Sequence, residues 1–225
     1  MTSGETLWQV PVGSEATSAA WDPPTTETPG AVFVCAHGAG GHMADKSLLA
    51  ISEVLRACGV GVVRFNFLYR EQRSRRPDPM PRLIDCFTAV LDRVRQELKP
   101  RTLIIGGRSM GGRAASMMAA EGTPASGLLL LAYPLHPPGQ QQKLRDAHLP
   151  AIRMAVLCLN GTRDTFCDRP LMEAVLARLG TNWQMRWLEG ADHGFHVLKR
   201  SGRTDAMVMT EVADTVREWI ARLPP

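Results

Sequence analysis

Residues 102–111 read TLIIGGRSMG, an apolar run that leads directly into Gly107-Arg108-Ser109-Met110-Gly111. The run is typical of a buried strand, and the small residues of Met110–Ala120 after it are typical of a closely packed helix. A serine at the sharp turn between the two adopts a strained backbone, so its neighbours must be small. The pattern G-x-S-x-G in this setting predicts a nucleophilic serine, Ser109.

Strand and helix patterns alternate on both sides of this segment, which favours an α/β architecture: a mostly parallel central sheet with helices on both faces. Two opening segments, Thr6–Val12 and Glu15–Trp21, are expected to form an antiparallel pair. Short apolar runs predict the other strands at Ala31–Ala36, Val60–Phe65, Leu103–Gly106, Gly127–Ala132, Arg153–Leu159 and Trp183–Leu188. Helical spacing of apolar residues predicts helices over 48–55, 83–98, 110–120, 170–179 and 208–223.

The length of the chain and the absence of a long linker predict one domain over residues 1–225. The longest irregular segment in the second half, Leu135–Pro150, is too short to form a large cap domain.

A serine nucleophile needs a base, and His193 is the candidate among six histidines. It lies in the segment EGADHGF, between the last predicted strand and the last predicted helix, as the chain order Ser…Asp…His requires. His196 is the competing candidate, and Gly194 beside His193 favours the latter because glycine permits a close approach.

The third member of the triad orients the histidine and stabilises its charged form. Asp164 follows the turn-forming residues Asn160-Gly-Thr-Arg after a predicted strand, so it is the expected acid. Asp168 is the rival, but it is also placed to cap the helix that begins near Pro170. Asp192 adjoins His193 in sequence, where a side-chain hydrogen bond of the right geometry is rare.

Two backbone N–H groups are expected to bind the oxyanion, those of Met110 and of Ala39, with Gly40 as the neighbouring alternative. Ala39 lies in the loop His37-Gly-Ala-Gly-Gly after the first parallel strand, where His37 is expected to be structural. The same glycines do not form a dinucleotide fingerprint, because the sixth position is Met43 and no acidic residue ends Val60–Phe65.

Composition excludes several other classes. The net charge of +4 is spread along the chain, so nucleic-acid binding is not indicated. No apolar stretch approaches the roughly 20 residues of a membrane span, and Met1–Pro11 has no signal-peptide character. The five cysteines are odd in number and unpaired by motif, so we expect a reducing, cytoplasmic location. No metal-ligand spacing or P-loop is present, and no cofactor is expected.

A basic segment follows the second parallel strand and is expected on the same side of the sheet as Ser109. Two interpretations stay open: the segment attracts an anionic substrate, or it is a solvated loop. Its arginines are Arg70, Arg73, Arg75, Arg76 and Arg82.

Five motifs together resemble the α/β-hydrolase family that includes testis-expressed protein thirty and the hydrolase-like region of a KAT8 regulatory complex subunit, and small bacterial, dienelactone-hydrolase-like members are the most similar in kind. The third motif is the most specific to this family, since it is not general to the fold. The motifs are AHGAGG (Ala36–Gly41), GGRSMGGRAAS (Gly106–Ser116), YPLHPPGQQQKLRDAHL (Tyr133–Leu149), GTRD (Gly161–Asp164) and ADHGF (Ala191–Phe195).

The resemblance implies an α/β-hydrolase fold and a triad of Ser109, Asp164 and His193. Two hypotheses follow. The first is a serine hydrolase that cleaves small-molecule carboxylic esters or thioesters through an acyl-enzyme, without cofactor, nucleic acid or membrane. The second is a non-catalytic scaffold or binding protein of the same fold, since one family member belongs to a chromatin-modifying assembly. The sequence does not indicate the oligomeric state.

Overall fold

Eight strands form one sheet in the computed structural model, which describes residues 4–26 and 31–223. The strand order is β1-β2-β4-β3-β5-β6-β7-β8. Strand β2 runs antiparallel to both of its neighbours, β1 and β4, and strands β3 to β8 are parallel to one another. The strands are β1 (Thr6–Val12), β2 (Glu15–Asp22), β3 (Ala31–Ala36), β4 (Val60–Phe65), β5 (Thr102–Arg108), β6 (Gly127–Leu131), β7 (Ala155–Gly161) and β8 (Trp183–Leu188).

Burial explains why the central strands are continuous apolar runs. Every residue of β3, β4 and β6 is buried, because helices cover both faces of the sheet. The edge strands are less buried and correspondingly more polar: β1 is largely exposed, and β8 is mostly half-buried.

The helices divide between the two faces of the sheet. Helices α3, α4 and α5 pack on one face, and α1 and α6 pack on the other, each through an apolar stripe of helical spacing. The helices are α1 (Lys46–Ala57), α2 (Leu68–Glu71), α3 (Met80–Leu98), α4 (Met110–Ala120), α5 (Arg169–Leu176) and α6 (Asp205–Ile220), with 3₁₀ turns at Leu149–Ala151 and Lys199–Ser201.

The predicted fold class, an α/β-hydrolase fold with helices on both faces, is confirmed, whereas several element bounds differ: α5 ends at Leu176 and α6 spans Asp205–Ile220. The strand predicted at Arg153–Leu159 runs instead from Ala155 to Gly161. The short helix α2 was not predicted, because four residues carry too little periodicity. None of the helices within the described residues has both the length and the apolar character that crossing a bilayer requires.

A buried ion pair joins the opening hairpin to the parallel sheet. Arg64 of β4 is only 2% exposed and donates to Asp22 of β2, with Nη2 3.0 Å from Oδ1. The same guanidinium bonds Glu5 at 2.7 Å and the carbonyl oxygen of Met43, in the loop that follows β3. A buried charge of this kind is tolerated only when it is paired, so the network fixes these three segments together.

One domain over residues 1–225 stays a prediction, since residues 1–3, 27–30 and 224–225 lie outside the described part of the chain.

Candidate active site

The candidate site lies where the order of the strands reverses. The chain runs from β3 outward to β4 on one side, whereas β5 begins the series on the other side. Ligands of open α/β sheets bind outside the carboxyl ends of the strands at such a reversal. The loop after β3 and the turn after β5 meet here, and they carry Ala39 and Ser109.

Ser109 occupies the strained turn that its sequence predicts. Its backbone has φ 52° and ψ −115°, a conformation that residues with a side chain seldom adopt. The turn fits only because the neighbours are glycines: a Cβ on Gly107 would lie 2.3 Å from the carbonyl oxygen of Ala36, and one on Gly111 would lie 2.5 Å from the same atom. The side chain of Ser109 is thereby held at the end of β5, facing the cleft.

We expect Gly107→Ala to lower the free energy of unfolding by about 3 kcal/mol or more, because the new methyl group collides with the β3 backbone at φ 148°. Urea denaturation measures the change. Gly122→Ala is the matched control, since Gly122 has φ 86° but open space around its Cβ position, and it should cost only about 1 kcal/mol. Equal losses in the two variants would contradict the collision.

Ser109, His193 and Asp164 form a continuous hydrogen-bonded chain. The Nε2 atom of His193 lies 2.9 Å from the Ser109 hydroxyl oxygen. The Nδ1 atom lies 2.9 Å and 2.8 Å from the two carboxylate oxygens of Asp164, so Nδ1 carries the proton and Nε2 is free to accept one. The side chain of Asp164 is fully buried, whereas that of His193 is 24% exposed.

Two residues that the sequence analysis did not identify hold Asp164 and His193 in place. Asn160, buried at the end of β7, donates from its amide nitrogen to Asp164 at 3.1 Å, and Phe166 donates its N–H at 2.8 Å. The ring of Phe166 also packs against the His193 ring, with centroids 4.3 Å apart. The carboxylate therefore accepts bonds beyond the one from His193, and these bonds fix its orientation.

The rival residues have other partners. His196 is an exposed side chain that bonds Asp205 at 2.7 Å. Asp168 caps α5 by accepting the N–H of Leu171 at 3.1 Å, as its position predicts. Asp192 accepts backbone N–H groups within its own loop, including that of Gly194 at 2.7 Å.

The two expected oxyanion donors line the same cleft as Ser109. Met110 is the first residue of α4, so its N–H has no partner within the helix. Within residues 4–26 and 31–223, the N–H of Ala39 has no recorded acceptor, whereas that of Gly40 donates to the Tyr69 hydroxyl at 3.2 Å. The geometry thus favours Ala39 over Gly40, the alternative from the sequence.

His37 lies beneath the loop that carries Ala39. Its Nδ1 donates to the carbonyl oxygen of Gly38 at 2.8 Å, and its Nε2 accepts the N–H of Phe67 at 3.1 Å. The residue is fully buried, and this burial lowers the pKa of His37 to about 4. The structural role that the sequence analysis assigned to His37 agrees with these contacts.

We expect acid to destabilise the fold through His37. Because its pKa is lower in the folded chain than the ordinary value of about 6.5, the unfolded chain binds more protons between pH 6.5 and 4. The contribution of neutral His37 to the free energy of unfolding is therefore fully present above pH 6.5 and is lost as the pH falls. The loss from pH 7 to pH 5 is roughly 2 kcal/mol. Urea midpoints at both pH values measure the loss. His37→Gln should flatten the dependence, and an unchanged slope in that variant would contradict the assignment.

The arginines of the 70–82 segment divide into two groups. Arg73, Arg75 and Arg76 are exposed, as a solvated loop requires. Arg70 and Arg82 have local partners: Arg70 donates to the carbonyl oxygen of Ser74 at 2.9 Å, and Arg82 binds Glu15 at 2.6 Å.

The cleft beside Ser109 has a volume of about 310 Å³ and contains two arginines that the sequence analysis did not select. Arg113 lies one helical turn after Ser109 on α4, a spacing that places the two side chains on one face, so the sequence held a usable signal. Arg145 comes from the segment between β6 and β7, and only the folded structure brings it to the cleft. Within the described ranges, no group of three or more residues with His, Cys, Asp or Glu side chains is arranged to hold a metal ion.

Comparisons with known proteins agree with this architecture. One solved structure, a serine hydrolase without a lid from Xanthomonas campestris, is 23% identical, with 100% of this chain and 98% of that chain covered and a TM-score of 0.75. A serine hydrolase homologue from Coxiella burnetii is 20% identical, with 97% of each chain covered and a TM-score of 0.74. A dienelactone hydrolase from Anabaena variabilis is 21% identical, with 98% of each chain covered and a TM-score of 0.73.

At identities this low, the structural similarity establishes a shared fold and nothing further. A family model adds to them, because the model described as the alpha/beta hydrolase domain matches residues 29–221, which is most of the chain and includes every residue of the candidate site. The chain therefore belongs to the alpha/beta hydrolase domain family.

Proposed function

We propose that this protein is a serine hydrolase that cleaves small carboxylic esters or thioesters through an acyl-enzyme. The observation that carries the proposal is the hydrogen-bonded chain from Ser109 through His193 to Asp164, with 2.9 Å between the Ser109 oxygen and the His193 Nε2 atom. A serine hydroxyl is a weak nucleophile unless a base is positioned to take its proton, and this geometry supplies that base.

The reaction proceeds in two halves. The Ser109 oxygen attacks the ester carbonyl while His193 Nε2 takes its proton, and the buried Asp164 carboxylate stabilises the resulting imidazolium. The N–H groups of Met110 and Ala39 bind the oxyanion. His193 then protonates the leaving alcohol or thiol, which departs as the acyl-enzyme forms. Water attacks that ester, again with His193 as base, and releases the acid and free Ser109.

The size of the cleft favours short or compact acyl groups. Between β6 and β7, residues 132–154 contain no helix longer than the 3₁₀ turn Leu149–Ala151, so this segment builds no apolar tunnel over the site. A cleft of about 310 Å³ is at the small end of the range for ligand pockets.

A fluorophosphonate probe tests the proposal, because it phosphonylates a serine only when a base activates it. We expect one label per chain, located at Ser109 by mass spectrometry, together with faster hydrolysis of acetate than of palmitate esters. Ser109→Ala is the matched control and should take up no label. A properly folded protein that is not labelled would instead support the non-catalytic scaffold.

Several features remain predictions beside this proposal: a small-molecule substrate, no nucleic-acid or membrane partner, no cofactor, and a cytoplasmic location. The finer resemblance to the family of testis-expressed protein thirty also stays a prediction.

A further inference from the structure

Two arginines in the cleft beside Ser109 have no acidic partner. Arg113 and Arg145 both line this cleft. Within residues 4–26 and 31–223, neither guanidinium forms an ion pair, whereas Arg64, Arg82 and Arg203 each do. A desolvated charge is costly unless it is paired, so both guanidinium groups favour an anionic partner.

Arg113 is the less satisfied of the two. Its Nε atom is buried, and no hydrogen-bond acceptor for it is present among the described residues. Its backbone is fixed on α4, where its N–H donates to the Ser109 carbonyl oxygen at 3.0 Å. An arginine presents five N–H donors in a planar fork that matches a carboxylate, so an acceptor from a bound molecule would complete this group.

Arg145 is held in position by its backbone. Its N–H donates to the Leu135 carbonyl oxygen at 2.8 Å, and its own carbonyl oxygen accepts the Tyr133 hydroxyl at 2.6 Å. Its side chain makes one bond, from Nη1 to the Pro134 carbonyl oxygen at 3.2 Å. Burial lowers the pKa of Arg145, and the nearby charge of Arg113 lowers it further.

Asp78, the one carboxylate among the described residues that line the cleft, is engaged by other groups. Its Oδ2 atom accepts the N–H of Tyr69 at 3.0 Å, and its Oδ1 atom faces Arg82 at 3.5 Å. The cleft that Ser109 lines therefore also presents two guanidinium groups to a bound molecule.

We propose that Arg113 and Arg145 bind a carboxylate of the substrate, so that the enzyme prefers esters with an acidic group a short chain away from the ester carbonyl. This inference rests on the proposed function and specifies its substrate class. The carboxylate belongs either to the acyl part, as in a dicarboxylic acid half-ester, or to the alcohol part, as in an ester of a hydroxy acid.

The test compares anionic esters with neutral esters of matched length. Proton release gives kcat/KM for monomethyl glutarate against methyl hexanoate, and for acetoxyacetate against ethyl acetate. We expect at least one anionic ester to be preferred about tenfold or more, the effect of a charge-assisted hydrogen bond on an equilibrium constant. The pair that shows the preference identifies the side of the ester that carries the carboxylate.

Variants connect the preference to the two arginines. Arg113→Gln and Arg145→Gln should each lower the anionic-to-neutral ratio, and the double variant should bring it close to one. Arg113→Lys should keep more of the ratio than Arg113→Gln, since it keeps the charge. Arg101→Gln is the matched control: it removes an exposed arginine next to the amino end of β5, whereas the cleft lies at the carboxyl end, and it should leave the ratio unchanged.

Two failures are distinguishable. If neutral esters are hydrolysed by wild type but not by Ser109→Ala, and no anionic ester is preferred, the proposed function stands and this inference is overturned. If no ester is hydrolysed, the proposed function fails. Calorimetry with glutarate then tests whether the two arginines bind a carboxylate. Binding by wild type that the double variant loses would support the site, and no binding by folded wild type would overturn it.

Discussion

Ser109→Ala is expected to abolish ester hydrolysis, with a loss on the order of 10⁶ in kcat, the loss seen when a triad nucleophile is removed. The reason is local, because the hydroxyl oxygen 2.9 Å from His193 Nε2 is the only atom that the substitution deletes. Alanine retains the Cβ atom and the turn around it, so the melting temperature should hardly change. Hydrolysis of a short p-nitrophenyl ester measures the rate, and thermal unfolding measures the fold.

Ser116→Ala is a sharp control for this variant. Ser116 lies on the same helix, α4, and its hydroxyl also contacts a histidine, with 2.8 Å to the Nε2 atom of His148. Ser116 is fully buried, however, and within the described residues no carboxylate accepts a hydrogen bond from His148. We expect this variant to retain the rate with a modest loss of stability. Activity that survives in Ser109→Ala and disappears in Ser116→Ala would mean that the wrong serine has been assigned.

Asp164→Asn is expected to lower kcat by about four orders of magnitude, because the amide stabilises the wrong imidazole tautomer of His193. The structure adds a second expected effect. The Asp164 carboxylate also accepts hydrogen bonds from Asn160 and from the Phe166 N–H. In the variant, the NH₂ of the new amide would face one of these donors at a buried position, where it has no acceptor. The free energy of unfolding should therefore be about 1–3 kcal/mol lower than in wild type.

Asp168→Ala is the comparison for the acid. It removes the cap on α5, which should cost about 0.5–2 kcal/mol of stability and leave kcat nearly unchanged. Kinetics and urea denaturation on both variants separate the roles. A large loss of kcat in Asp168→Ala together with normal turnover in Asp164→Asn would show that the assignment is reversed.

Much of the architecture could be predicted because the residue types of each segment match the burial that the segment has in the fold. The strands at the centre of the sheet are buried on both faces, so each is a short apolar run that stands out in the sequence. The turn at Ser109 could be found because only small residues fit against Ala36, and the sequence shows them as glycines.

The end of β7 shows where this reasoning failed. Asn160 and Gly161 are typical turn residues, so the strand was predicted to end at Leu159. In the structure Asn160 is fully buried, where its amide bonds Tyr133 and Asp164. A Cβ on Gly161 would lie 2.1 Å from the carbonyl oxygen of Ala191, so a glycine is needed there by packing. Contacts with distant segments explain why an asparagine and a glycine occupy these positions, and such contacts cannot be inferred from the sequence pattern.

The arginines that line the cleft were not selected from the sequence. The sequence drew attention to the arginines of residues 70–82, since they are close together in the chain. The cleft is lined instead by Arg113 and Arg145, which are 32 positions apart and become neighbours only through folding. Clustering along a chain and clustering in space are independent properties for side chains on different elements.

The backbone of Ser109, at φ 52°, has a consequence for how such a chain evolves. A residue with a side chain in this conformation carries on the order of 1–3 kcal/mol of strain, which glycine would relieve. Selection for folding alone would favour glycine at this position, whereas selection for turnover requires the hydroxyl. A lineage that gave up catalysis but kept the fold would gain stability by losing its serine, so a serine retained at this strained position is what the proposed activity requires.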